Sequence, residues 1–222
     1  SDAEKALIKN VGDAFHAKNK KVVVVLNIGG VIETVSWKDN ADAIVLVWQP
    51  GLEAGNAVAD ILIGKVNPSG KLASTFPWKY EDGPSAKSFP GKEFPEKATT
   101  GNFGMKMIPA EVTYEDGIYV GYRYYNSFHV KPAFEFGYGL SYTDFKYSNF
   151  SLSSKALDKT ITATVTITNT GKVAGKEVAQ LYISAPTGKL DKPAEELKGF
   201  VKTGLLQPGK SENITFTINA ED

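Results

Sequence analysis

The sequence contains no cysteine and only two histidines. That excludes a disulfide framework, a thiolate metal site and a cysteine nucleophile, and leaves little for zinc. It does not identify the compartment. Net charge is absent as well: 25 Lys and Arg residues balance 25 Asp and Glu residues. No net field therefore favours nucleic acid or an anionic membrane, and no basic run carries interleaved aromatics. Neither nucleic acid nor membrane is expected as a partner. No apolar run reaches the roughly 18 to 20 residues of a membrane span, and the first residues read as a helix start instead of a signal peptide. A soluble protein is expected, with any export signal upstream. No serine-histidine-acid constellation, metal cluster or cofactor fingerprint is visible, so no metal and no cofactor are expected.

Against these absences, 42% hydrophobic and 11% aromatic residues over 222 positions suffice for one large domain or two ordinary ones. The central stretch runs from Ala43 to Pro77, AIVLVWQPGLEAGNAVADILIGKVNPSGKLASTFP. Ile44 to Val47 form a continuous apolar run of the kind a parallel strand covered on both faces requires. Pro50 and Gly51 end it. Leu52, Val58, Ala59, Ile61, Leu62 and Ile63 make a wide helical stripe, and Gly64 supplies a left-handed stop. Asn67-Pro68-Ser69-Gly70 is a turn by composition, and a short strand is expected to follow it.

Upstream, Ser1 and Glu4 have the spacing of a capping box, and Leu7, Ile8, Val11 and Phe15 share one face of a helix ending near Asn19. Lys21 to Leu26 reads as a second fully buried strand. Asn27-Ile28-Gly29-Gly30 invites a phosphate-binding reading, but the glycine spacing and the required lysine or serine are absent, and a tight turn is expected instead. Residues 31–36 form a short helix at best. Strand, helix, strand, helix implies a mostly parallel sheet with flanking helices. With only two long buried strands, 1–142 reads as part of a larger α/β sandwich domain whose first strands precede this chain.

Residues 78–112 scatter proline and glycine among charges with no sustained period. This is a long loop of wrapping or domain-bridging type, or an active-site rim. Tyr114 to Tyr125 then places five tyrosines around Arg123. The strip reads as packing between domains, with a sugar-stacking platform as the competing reading. After the glycine-rich junction Phe134 to Tyr142, the period changes to two. Ile161, Ala163, Val165 and Ile167, then Ala179, Leu181 and Ile183, then Ile214, Phe216 and Ile218 alternate with polar residues. Turns at Asn169-Thr170-Gly171 and Gln207 to Lys210 complete a fibronectin type III-like β-sandwich over 143–222, with about five strands where such a fold has about seven. The fold class is thus α/β plus all-β: a partial α/β sandwich, then a fibronectin type III-like β-sandwich. Asn149-Phe150-Ser151 and Asn213-Ile214-Thr215 match a glycosylation sequon and are read as solvent-facing strand positions.

Six blocks carry a family resemblance: VVVVLNIGGVIE, LVWQPGLEAGNAVADILIGKVNPSGKLASTFP, EDGIYVGYRYY, FEFGYGLSYT, TNTGKVAGKEVAQLYI and DKPAEELKGF. In this order the chain resembles the C-terminal part of glycoside hydrolase family 3, the β-glucosidase and β-xylosidase family. The resemblance implies a retaining hydrolase of β-linked glucosides, working through two carboxyl groups about 5 to 5.5 Å apart. It also implies a barrel preceding this chain, as part of the same protein or as a separate one. In the family the nucleophile is an aspartate on the barrel, and the acid/base is often a glutamate upstream of the helix that opens this chain. Neither position is present, so no residue here is assigned as catalytic. Glu33, Glu53, Glu115 and Asp116 fall in scaffold blocks, and the chain by itself is expected to be inactive. The expected partners are the preceding barrel portion, a β-glucoside in the complete enzyme, and a possible second copy of the chain. The bacterial cytoplasm, periplasm and exterior all remain open. The alternative reading is a non-catalytic carbohydrate-binding or adhesion module.

Overall fold

Ser1 opens the first helix, α1 (Asp2–His16), as a reciprocal capping box: its hydroxyl accepts from the Glu4 amide while the Glu4 carboxylate reaches back to the N-terminal amine. The computed structural model describes residues 1–156 and 158–220. Strand β1 (Val23–Leu26) follows and pairs in parallel with β2 (Ala43–Leu46), residue for residue from Val23 opposite Ala43 to Leu26 opposite Leu46. Residues 31–36 are not helical; a single 3-10 turn, Lys38–Asn40, precedes β2. Asp42, just before β2, holds three pieces together: it accepts from Lys21 Nζ (2.7 Å) and Val22 N (2.8 Å), and lies 2.8 Å from His16 Nε2.

The expectation that both strands are buried on both faces is not met within this chain. Val23 and Val25 are 43% and 40% exposed, because β1 and β2 form a two-stranded sheet and no layer of the described residues covers that side. Helix α2 (Ala54–Leu62) ends at the cap residue Ile63, and Gly64 takes φ +74° in the left-handed region, as its place after the stripe predicts. Leu52 is not part of the stripe; it lies before the helix and is fully exposed. The short strand expected after Gly70 is reduced to one antiparallel bridge between Phe76 and Phe134.

The segment 78–112 is less structureless than its composition suggests. It contains several 3-10 turns and two small antiparallel ladders, β3 (Lys92–Glu93) with β6 (Ala110–Glu111), and β4 (Thr99–Thr100) with β5 (Lys106–Met107). Inside the tyrosine strip a short helix, α3 (Tyr122–Ser127), buries Tyr125, whereas Tyr114 is 88% exposed.

Five longer strands then build the all-β part: β7 (Phe145–Leu152), β8 (Thr160–Asn169), β9 (Val178–Ile183), β10 (Glu196–Lys202) and β11 (Ser211–Asn219). One antiparallel sheet runs β11-β8-β7 and the other is the pair β10-β9. Their inward positions are those of the two-residue period: Ala163, Ile167, Ala179, Ile214, Phe216 and Ile218 form one buried cluster with Leu206. The outward threonines of β8 meet β11 across the sheet, with Thr164 Oγ1 3.2 Å from Thr215 Oγ1 and Thr166 Oγ1 donating to Asn213 at 2.9 Å. Both sequon asparagines are exposed, with Asn149 at a register shift in β7 and Asn213 on β11.

Candidate functional site at the seam of the two parts

The block NPSGKL, which reads as a turn, is where the α/β part grips the β-sandwich. Asn67 Nδ2 donates to the Ala174 carbonyl (3.0 Å), and its Oδ1 accepts from Ser141 Oγ and the Tyr142 amide (2.9 and 2.8 Å). Four residues on, Lys71 forms an ion pair with Glu177 at the edge of the sandwich (2.9 Å) and donates to the Gly139 carbonyl. Glu177 also accepts from the Val178 amide. Its charge and, more strongly, burial push the Tyr147 hydroxyl up to about 12. In the FGYG junction, Gly137 has φ +81°, and a Cβ there would run into the carboxamide of Gln180. Glycine is required at that position both for conformation and for the close approach.

The tyrosine strip supplies the other half of the seam. Tyr122 lies 4.9 Å from Phe136 and 5.7 Å, edge-on, from Tyr182 of β9, and its hydroxyl accepts from the Leu197 amide at 2.7 Å. Arg123 pairs with Glu196 (3.2 Å), Asn126 donates to Glu195 (2.6 Å) and Tyr119 donates to Asp191 (2.5 Å). Between Tyr122, Phe136, Tyr182, Gln180, Glu135 and Glu195 a crevice of about 250 Å³ remains. Burial, and next the neighbouring Tyr122, push Tyr182 up to about 12.

None of the four carboxylates weighed from sequence lines this crevice. Glu33 is held by Ser36 through its amide and hydroxyl (both 2.6 Å) and by Lys5 at 3.3 Å. Glu53 sits at the α2 N-cap, where the positive end of the helix suits it, and accepts from Asn56. Asp116 accepts from Ser85 (3.3 Å), and Glu115 is exposed. Among the described residues no group of three or more His, Cys, Asp or Glu side chains is placed to hold a metal. Sequence reasoning missed Asn67, Lys71, Glu177 and Gln180. A lysine and an asparagine beside an otherwise apolar helix stop were the available signal.

Residues 1–142 match the family described as glycosyl hydrolase family 3 C-terminal domain, and residues 177–222 match the fibronectin type III-like domain family. The chain belongs to glycoside hydrolase family 3. A β-glucosidase A from Butyrivibrio fibrisolvens is 41% identical over the whole of this chain, which spans 26% of that protein. The structure of β-glucosidase 3B from Thermotoga neapolitana, solved with glucose, superposes on 99% of the chain at 52% identity with a TM-score of 0.87, and 28% of that protein is covered. A family 3 β-glucosidase from Bifidobacterium adolescentis superposes on all of it at 34% identity and a TM-score of 0.84. This family 3 chain therefore spans about a quarter of the length of the relatives it matches.

Proposed function

We infer that the chain is the C-terminal portion of a retaining β-glucosidase, one that releases terminal β-linked glucose from glucosides or short oligosaccharides. The observation that carries the reading is the 52% identity and TM-score of 0.87 over 99% of the chain to a β-glucosidase of known structure. In this reading residues 1–142 are part of the α/β sandwich domain and 143–222 the fibronectin type III-like domain. The nucleophile and acid/base are supplied by the rest of the enzyme. No residue here is catalytic, which agrees with the local engagements of Glu33, Glu53 and Asp116.

The partner is the barrel portion. Val23 and Val25 of β1 are exposed, as are Leu62 and Ile63 at the end of α2, and exposed apolar side chains of this kind are what such a partner would cover. The experiment is an exchange: the corresponding quarter of the Thermotoga enzyme is replaced by these residues. The hybrid is expected to hydrolyse an aryl β-glucoside while the 222-residue chain alone does not. A folded but inactive hybrid argues against the reading. So does hydrolysis by the isolated chain that disappears when Glu53 or Asp116 is replaced.

A further inference from the structure

The seam crevice has a hydrogen-bonding inventory that the protein uses only in part. Gln180 Oε1 accepts from the Tyr182 hydroxyl (2.8 Å), which leaves the Gln180 N–H groups to donate elsewhere. Tyr122 Oη accepts from Leu197 N, which leaves its own O–H to donate. On the acceptor side, among the described residues, Glu195 receives one protein hydrogen bond, from Asn126, and the Glu135 carboxylate has no protein partner. Thr75 Oγ1, also in the lining, is shut away from bulk solvent without a partner. No lysine or arginine lines the crevice.

Those features select a chemistry. Two carboxylates with no cation in the lining repel phosphates and other anions. A simple ammonium satisfies the carboxylates but presents only donors to the free N–H of Gln180 and O–H of Tyr122. A hydroxyl gives and receives a hydrogen bond at the same atom, so a ring carrying several hydroxyls matches both halves of the lining. Phe136 and the rings of Tyr122 and Tyr182 supply apolar wall for its C–H faces. At about 250 Å³ the crevice lies just under the ~300 to 1,000 Å³ of sites for drug-sized ligands, which is the scale of one sugar ring.

We propose that the seam crevice binds a neutral monosaccharide in pyranose form, with Gln180 and Tyr122 donating to its oxygens and Glu135 and Glu195 accepting from its hydroxyls. The inference stands on the lining and does not require that the chain belong to a working hydrolase. Because residues from both parts of the chain contribute, an occupied crevice ties the sandwich to the α/β part and raises the stability of the whole by mass action.

Titration calorimetry of the 222-residue chain with glucose, putrescine and inorganic phosphate tests this, alongside thermal melts in each. Saturable glucose binding in the millimolar range and a higher melting temperature in glucose are expected, with neither effect from putrescine or phosphate. Loss of a hydrogen bond to a charged group corresponds to about tenfold or more in affinity, and of one between neutral groups to about two- to tenfold, so Glu195→Gln should weaken glucose binding by the first factor and Gln180→Ala by the second. Glu135→Gln alters an exposed side chain with no protein partner; it should fold as the parent does and bind glucose several-fold more weakly. Absence of glucose binding overturns the proposal, as does tighter binding of putrescine or phosphate, or glucose affinity unchanged in Glu135→Gln.

Discussion

Lys71 Nζ sits 2.9 Å from Glu177 Oε1, with the two side chains only 17% and 11% exposed, and this pair is more deeply buried than Arg123–Glu196, which also joins the α/β part to the sandwich. Removing one member of a buried pair strands the other, at a cost of about 3 to 5 kcal/mol where burial is complete. Lys71→Met is therefore expected to lower unfolding stability by about 3 kcal/mol in urea titration. The double variant Lys71→Met with Glu177→Gln should recover a large part of that loss, because no uncompensated charge remains. A double variant less stable than Lys71→Met would show that Glu177 stabilises the fold through contacts other than the ion pair, such as the one it accepts from the Val178 amide.

Asn169 closes the turn after β8 with a fully buried side chain. It accepts from Thr143 Oγ1 (2.7 Å) and donates to the carbonyls of Val173 and Leu206 (both 2.8 Å). Asn169→Ala leaves those groups unsatisfied in a dry site, and about 3 kcal/mol of destabilisation is expected. The exposed Asn213→Ala should cost about 0.5 kcal/mol or less. Equal losses from the two substitutions would mean that the buried network contributes nothing specific.

Gly64 has open space around it but a backbone φ of +74°. The cost of a side chain there is conformational, not steric crowding by neighbours. Gly64→Val is expected to destabilise by about 1 to 2 kcal/mol, seen as a lower melting temperature. Gly70→Ala, where φ is not left-handed and no heavy atom lies within contact of the added carbon, should be nearly neutral.

The carboxyl of Asp42 is held well below the usual carboxylate range by the Lys21 ammonium first, then by the Val22 amide and His16. A depressed folded-state value means that the stabilisation is present above about pH 4, the unfolded value, and disappears as pH falls through the folded one. Asp42→Asn should destabilise the chain at pH 7 and flatten the acid limb of its stability profile below pH 4. An unchanged acid limb would show that other carboxylates dominate it.

The alkaline limb has the opposite sign. Tyr147 and Tyr182 are pushed up to about 12, in each case first by burial. Their contribution is complete below about pH 10 and is lost as pH rises toward 12. Tyr147→Phe should reduce the fall in stability between pH 10 and pH 12, relative to the parent measured in parallel. A parallel profile would show that Tyr147 is not kept protonated by the fold.

Elements governed by local rules were legible without coordinates. The Ser1 and Glu4 box, the stop at Gly64, and the two-residue alternation that places Ala163, Ile167, Ile214 and Phe216 inside all follow from backbone geometry and side-chain period. Family membership was legible too, because the six motif blocks stand in order along the chain. Burial of β1 was misjudged, since β-branched density reports what a strand suits and not which layer covers it. The tyrosine strip was readable as packing between domains, but which residues meet across the seam was decided by tertiary structure alone. Asn67 meets Ala174 across 107 positions, and Tyr122 receives the Leu197 amide across 75. Neither partner can be read from local propensity, because such contacts depend on how two separately patterned parts dock. The free donors and acceptors of the crevice appear only when that docking fixes which polar atoms are satisfied and which are left over.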